Sequence, residues 1–191
     1  MVSDFLSIEI TQLKEKLDSL EDNYYFNDEL SNYFKNLQLL STELSEKISG
    51  IGTKSVSTYE LSLYRTYLDF IKNSCIYLED STLNIIPYET VFCLNKALSD
   101  WVTNPPIIVT SLKAQSYFFN GSLSTNEATF RLIESEFQIT FKSRLILLGI
   151  PQIEVYNYLY NIVLYHELGH YVDQYHQISY KLTYSYIQTQ L

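Results

Sequence analysis

Apolar residues recur along the first hundred positions at the alternating steps of three and four that give a helix one buried stripe. Leu6, Ile10, Leu13, Leu17 and Leu20 place such a stripe on a helix from about Ser3 to Glu21. A second runs between Asn27 and Ser49 through Leu30, Phe34, Leu37, Leu40 or Ser41, Leu44 and Ile48, and Gly50 and Gly52 read as its stop. Val56 to Leu78 carries Tyr64, Tyr67, Ile71, Cys75 and Leu78 in register, and after Pro87 a fourth helix carries Val91, Leu94, Leu98 and Trp101. Short turns between long amphipathic helices favour antiparallel packing, so residues 1 to 104 are expected to form an N-terminal helical domain. Its stripes bury one another or a protein partner; packing against one another is the simpler solution.

The pattern breaks at "TNPPII", Thr103 to Ile108, where two prolines remove two backbone donors and bias the preceding residue toward an extended conformation. A boundary is expected there, with a second region over residues 105 to 191. "IIVTSL", Ile107 to Leu112, is short and β-branched, and "SYFFNGS", Ser116 to Ser122, ends in an Asn-Gly turn, so one or two strands follow. Ser124 and Glu127 match a capping box, and Phe130, Ile133, Phe137, Phe141, Leu145 and Leu148 extend a helix to a stop at Gly149. "EFQITF" within it also suits a strand. Pro151 fits a first helical turn, from which Val155, Leu159, Ile162 and Val163 lead a further helix into His166. The fold class is therefore mainly α (α+β): a helical bundle, then a short β-sheet and a helix near the C-terminus.

Composition narrows the function. The chain has 191 residues, 46% hydrophobic and 18% charged, enough to bury a core. A net charge of -9 argues against nucleic acid or an anionic membrane surface as the partner. No apolar run approaches the roughly 20 residues of a membrane helix, and the acidic start "MVSDFLSIEI" lacks the basic lead of a signal peptide. Two cysteines, Cys75 and Cys93, have neither CxxC spacing nor a dense framework; they read as buried thiols in a reducing, cytoplasmic setting. Eighteen tyrosines are most simply a core that packs rings and keeps hydroxyls wet. Trp101, beside the prolines, is expected to anchor the two regions to each other.

All three histidines fall within "YHELGHYVDQYH", Tyr165 to His176. His166, Glu167 and His170 form H-E-x-x-H, and residues four apart on a helix lie one turn above each other, so both imidazoles can converge on one cation. Neutral imidazole suits Zn2+, and the intervening Glu can reach a metal-bound water as general base. With three histidines in the chain, a random arrangement contains this motif with a probability of roughly 0.3%. No other charged residue interrupts Asn157 to Val172, so Glu167 needs a polar partner if it is buried. A Ser-His-Asp triad lacks a GxSxG elbow, and the five glycines are too dispersed for a phosphate loop.

"VLYHELGHYVD", Val163 to Asp173, resembles the active-site helix of the zincin metallopeptidases, and its H-E-x-G-H-x-x-D form is similar to gluzincins. The resemblance covers about eleven residues. It implies a hydrolase of the metalloprotease class that takes a protein or peptide substrate: His166 and His170 as zinc ligands, Glu167 as catalytic base, Gly169 slimming the helix where another element packs, and a sheet edge that aligns substrate, "IIVTSL" or "SYFF". The third ligand departs from the pattern. Gluzincins supply a downstream Glu, whereas Glu167 is the last Glu here. His176 stands where metzincins place a third His, but Asp173 replaces the Gly that turns the backbone. A helix running on through Asp173 rotates His176 by about 80° from His166, at 100° per residue. Three possibilities follow: a Glu beyond Leu191 in a longer protein, a degenerate site completed by Asp173 or His176, or a helix without metal.

Overall fold

The computed structural model describes residues 2–25, 27–51, 56–79, 88–154, 157, 159 and 162–190. It is mainly α with a small sheet, as the periodicity implies. Four helices come first: α1 (Val2–Asp18), α2 (Asp28–Ile51), α3 (Thr58–Glu79) and α4 (Tyr88–Ser99). Strand β1 (Ile107–Asn120) leads into a short α5 (Ser122–Thr125) and then α6 (Glu127–Phe137). Strand β2 (Leu145–Pro151) is followed by a 3-10 turn at Gln152–Glu154, α7 (Val163–His176) and α8 (Ile178–Gln190).

The helical stripes are spent inside the molecule. Leu6, Ile10 and Leu17 of α1, Leu30, Leu37, Leu40, Leu44 and Ile48 of α2, and Leu68, Ile71, Cys75 and Leu78 of α3 are all buried in one cluster. Local bonds set the helix starts. Asn27 accepts from the Leu30 N–H at 2.7 Å, and Ser57 and Glu60 exchange reciprocal bonds of 2.9 and 3.1 Å in a capping box that opens α3. Those bonds hold the Glu60 carboxyl below its ordinary pKa. Gly50 lies inside α2 rather than ending it, and Gly52 is outside the described residues.

The same cluster takes in Ile107 and Val109 of β1, Phe130 and Ile133 of α6, Ile139, Phe141, and Leu145 and Leu147 of β2. Residues on both sides of Thr103 thus share one core. The opposite face of the sheet, Ile108, Ile146, Leu148 and Ile150, packs in a second cluster with Leu94 and Leu98 of α4 and Leu164, Leu168 and Tyr171 of α7. Period-two alternation sends neighbouring residues of each strand into different helical layers. Edge-on aromatic contacts tighten the first layer, with Phe70 against Phe130 and Phe141 at 5.3 and 5.2 Å and Tyr33 against Phe141 at 4.8 Å. Tyr33 shares a 3.0 Å bond with Ser74, and burial pushes its phenol well above the ordinary value. Tyr77 donates to the Asn120 carbonyl at 3.0 Å, fixing the end of β1 onto α3.

β1 and β2 pair in parallel, with Ile107 to Ser111 opposite Leu145 to Gly149. Past Lys113 the register breaks, and Phe118, Phe119 and Asn120 face Gly149, Leu148 and Leu147 in descending order. Both sequence segments expected as strands therefore belong to one strand that doubles back along β2.

Several expectations are corrected. The helix expected to run from Phe130 to Leu148 stops at Phe137, where Gln138 takes a left-handed conformation (φ 58°) and its N–H bonds the Glu134 carbonyl. "EFQITF" is not a strand: its first two residues end α6 and the rest is loop. "LILLGIP" is strand β2, because a segment buried on both faces needs no alternation to satisfy the core. Asn126, not Ser124, caps α6 by accepting from the Thr129 N–H. Pro151 ends β2 instead of starting a helix, and α7 begins only at Val163; Val155 lies outside the described residues. Cys93 is exposed while Cys75 is buried, its thiol pushed up to about 11 by desolvation. Trp101 is 65% exposed, rather than buried as an anchoring indole would be. Among the described residues, no helix is long and apolar enough to cross a membrane.

Gly149 lies beneath the Phe118 ring, which a Cβ at that position would overlap. Gly149→Ala should therefore destabilise the fold by roughly 1–3 kcal/mol in urea unfolding. A double-mutant cycle with Phe118→Ala should show a coupling above about 0.5 kcal/mol; additive effects would mean that the ring is not what excludes a side chain there.

Candidate metal centre

Helix α7 is held against the sheet by Leu164, Leu168 and Tyr171, which are spaced i, i+4, i+7 and buried against Ile146, Leu148 and Ile150. That stripe fixes the rotation of the helix about its axis. His166 and His170, two positions after the first two stripe residues, consequently face solvent. Their rings meet edge to face with centroids 4.8 Å apart. Glu167 between them is half-buried, and the ligand-capable atoms of His166, Glu167 and His170 all lie within 4.8 Å of one another.

The donor set fits zinc. Two imidazole nitrogens at zinc-ligand distance stand about 3.3 Å apart in a tetrahedral site, so the observed spread closes by small rotations of exposed side chains. Neither ring is hydrogen-bonded among the described residues, leaving both free to make that movement. The three are the only group of His, Cys, Asp or Glu among the described residues with this convergence.

The two alternative third ligands are committed elsewhere. The Asp173 carboxylate accepts from the Ser179 N–H at 2.7 Å and the Ser179 hydroxyl at 2.8 Å, and so caps the start of α8. These bonds hold its carboxyl below the usual range, with a smaller contribution from His170. His176 shares a 2.7 Å bond between Nε2 and the Trp101 carbonyl, which ties the end of α7 to the segment after α4. Helix α7 does continue through Asp173, as its identity implies, and ends at Gln177 in a left-handed turn (φ 56°).

Gly169 departs from its expected role. Among the described residues, a Cβ there would meet nothing within 4 Å, so none of them packs against the helix at that position. Sequence reasoning also missed α8 as a separate helix. Apart from Lys181 it is uncharged, and Ile178, Tyr180, Leu182, Tyr184, Tyr186 and Ile187 are all exposed on it. Their mixed spacing gave no single stripe to read. No protein-family model, curated protein or solved structure matches the chain.

Asp173→Ala should lower the helicity of α8 by circular dichroism yet change zinc affinity by less than the roughly 10-fold expected from loss of even an outer-sphere partner. The same cap is present above the carboxyl's unfolded pKa and disappears as pH falls through its lowered folded value. A larger loss of zinc affinity would restore Asp173 to the metal site.

Proposed function

We propose that this chain is a zinc-dependent peptidase that hydrolyses peptide bonds in a protein substrate, with His166 and His170 holding the cation and Glu167 acting as general base. The observation that carries the reading is the convergence of these three side chains on one outward face of α7. Zinc bound there supplies a Lewis acid for the scissile carbonyl and brings the pKa of water to about 7. Glu167 takes the proton of the attacking water onto its carboxylate and delivers it to the leaving amine. Leu164, Leu168 and Tyr171 hold both imidazoles outward by fixing the helix to the sheet. Among the described residues nothing stands within 4 Å of a Cβ at Gly169, which leaves room on that side of α7 for an extended chain. Unpaired Cys75 and Cys93 suit a reducing compartment such as the cytoplasm.

A second reading rests on the exposed apolar side chains of α8, which suit a non-catalytic interaction module that keeps the helix for contact alone. The two readings differ in zinc content and turnover. The purified chain should carry zinc that His166→Ala abolishes without unfolding, since His166 is exposed. Glu167→Gln should keep the zinc while peptide hydrolysis falls by about 10²–10⁴. Undiminished hydrolysis in Glu167→Gln would remove the proposed base, and a folded chain that binds no zinc at neutral pH would leave only the interaction module.

A further inference from the structure

We infer that a second copy of this chain completes the zinc coordination, the His166 and His170 pairs of two copies closing around one ion. This rests on the reading that the pair binds zinc, and it adds how the site is regulated. Closed zinc sites take four ligands in a tetrahedron, and the described residues of one chain converge only two imidazoles and Glu167. Most homo-oligomers are twofold dimers in which the same surface meets itself. A twofold axis through the cation turns two imidazoles into four, so the ligand count closes without any further residue type.

Access and charge favour the same occupant. His166 and His170 are both exposed, and among the described residues nothing stands within 4 Å of a Cβ at Gly169 beside them, so a second helix can approach the imidazoles. Two copies each carrying a net charge of -9 repel over most of their surfaces. Between Asn157 and Gln190, however, the only charged side chains are Glu167, Asp173 and Lys181, and a divalent cation at the contact offsets the carboxylates. Self-association is least opposed there.

Contact area is available next to the site. After the Gln177 turn, α8 exposes Ile178, Tyr180, Leu182, Tyr184, Tyr186 and Ile187, each between 42% and 68%. At 100° per residue Ile178, Leu182 and Tyr186 share one face and Tyr180, Tyr184 and Ile187 the other, so one face offers on the order of 300 Å² per copy at about 100 Å² apiece. Even with the outward face of α7 this stays below the roughly 800 Å² per partner of a standard interface, so the pair depends on the zinc bridge. The zinc-bridged dimer has all four positions filled by imidazole and leaves none for water. It is the closed form, and hydrolysis belongs to the monomer.

The test is sedimentation of the metal-stripped full chain during titration with zinc chloride at neutral pH, with bound zinc measured on each species. The expected result is a dimer holding one zinc per two chains, reversed by a chelator and absent in His170→Ala. Tyr184→Glu should weaken that dimer at least ten-fold, and specific peptidase activity should fall as protein concentration rises. A monomer holding one zinc per chain would overturn the second-copy ligand while leaving the peptidase reading intact. A dimer that forms equally without zinc would overturn the bridge, and a chain that binds no zinc would remove both readings.

Discussion

Burial of β2 along both faces is the constraint from which the rest of the arrangement follows. Leu145 and Leu147 point into the layer built by α1, α2, α3 and α6, while Ile146, Leu148 and Ile150 point into the layer built by α4 and α7. A strand with no solvent face needs helices on both sides. Its parallel pairing with β1 likewise requires a crossover, which α5 and α6 provide. Helix α7 joins this scheme through a single stripe. The residues that cover the sheet are therefore what turn His166 and His170 toward solvent, and the site's exposure is a consequence of core packing.

The first three helices were legible because each carries its whole buried face at helical spacing, and that face stays inside the molecule. Strand β2 was not. Phe141, Leu145 and Leu148 happen to sit at helical steps, and a short apolar run cannot be told from a helix segment by periodicity when both of its faces are buried. The capping box read at Ser124 and Glu127 shows a similar limit when set beside the one the structure forms at Ser57 and Glu60. Ser57 and Glu60 close theirs, whereas Ser124 loses its helix start to Asn126, which immediately precedes α6 and offers a better-placed oxygen. Trp101 looked like an anchor from its place beside the prolines, yet it is its carbonyl that holds His176.

Legibility at the site followed sequence separation. His166, Glu167 and His170 lie within one helical turn, so their convergence depends only on α7 being a helix, and their spacing expressed it. The roles of Asp173 and His176 depend on partners outside that turn. Asp173 is spent on Ser179 across the Gln177 corner, and His176 on a carbonyl 75 positions earlier. Both side chains are chemically competent ligands, and only the tertiary arrangement shows what else they hold. The two imidazoles are exposed and have no hydrogen-bonded support among the described residues, so nothing described there fixes their orientation.

The proposed chemistry rests on zinc held by the imidazoles of His166 and His170. X-ray absorption at the zinc edge of the metal-loaded chain tests it most directly. The expected result is a first shell of nitrogen or oxygen at about 2.0–2.1 Å with the outer-shell scattering of at least two imidazole rings. A first shell with sulfur at about 2.3 Å, or one without imidazole scattering, would place the metal elsewhere and contradict it.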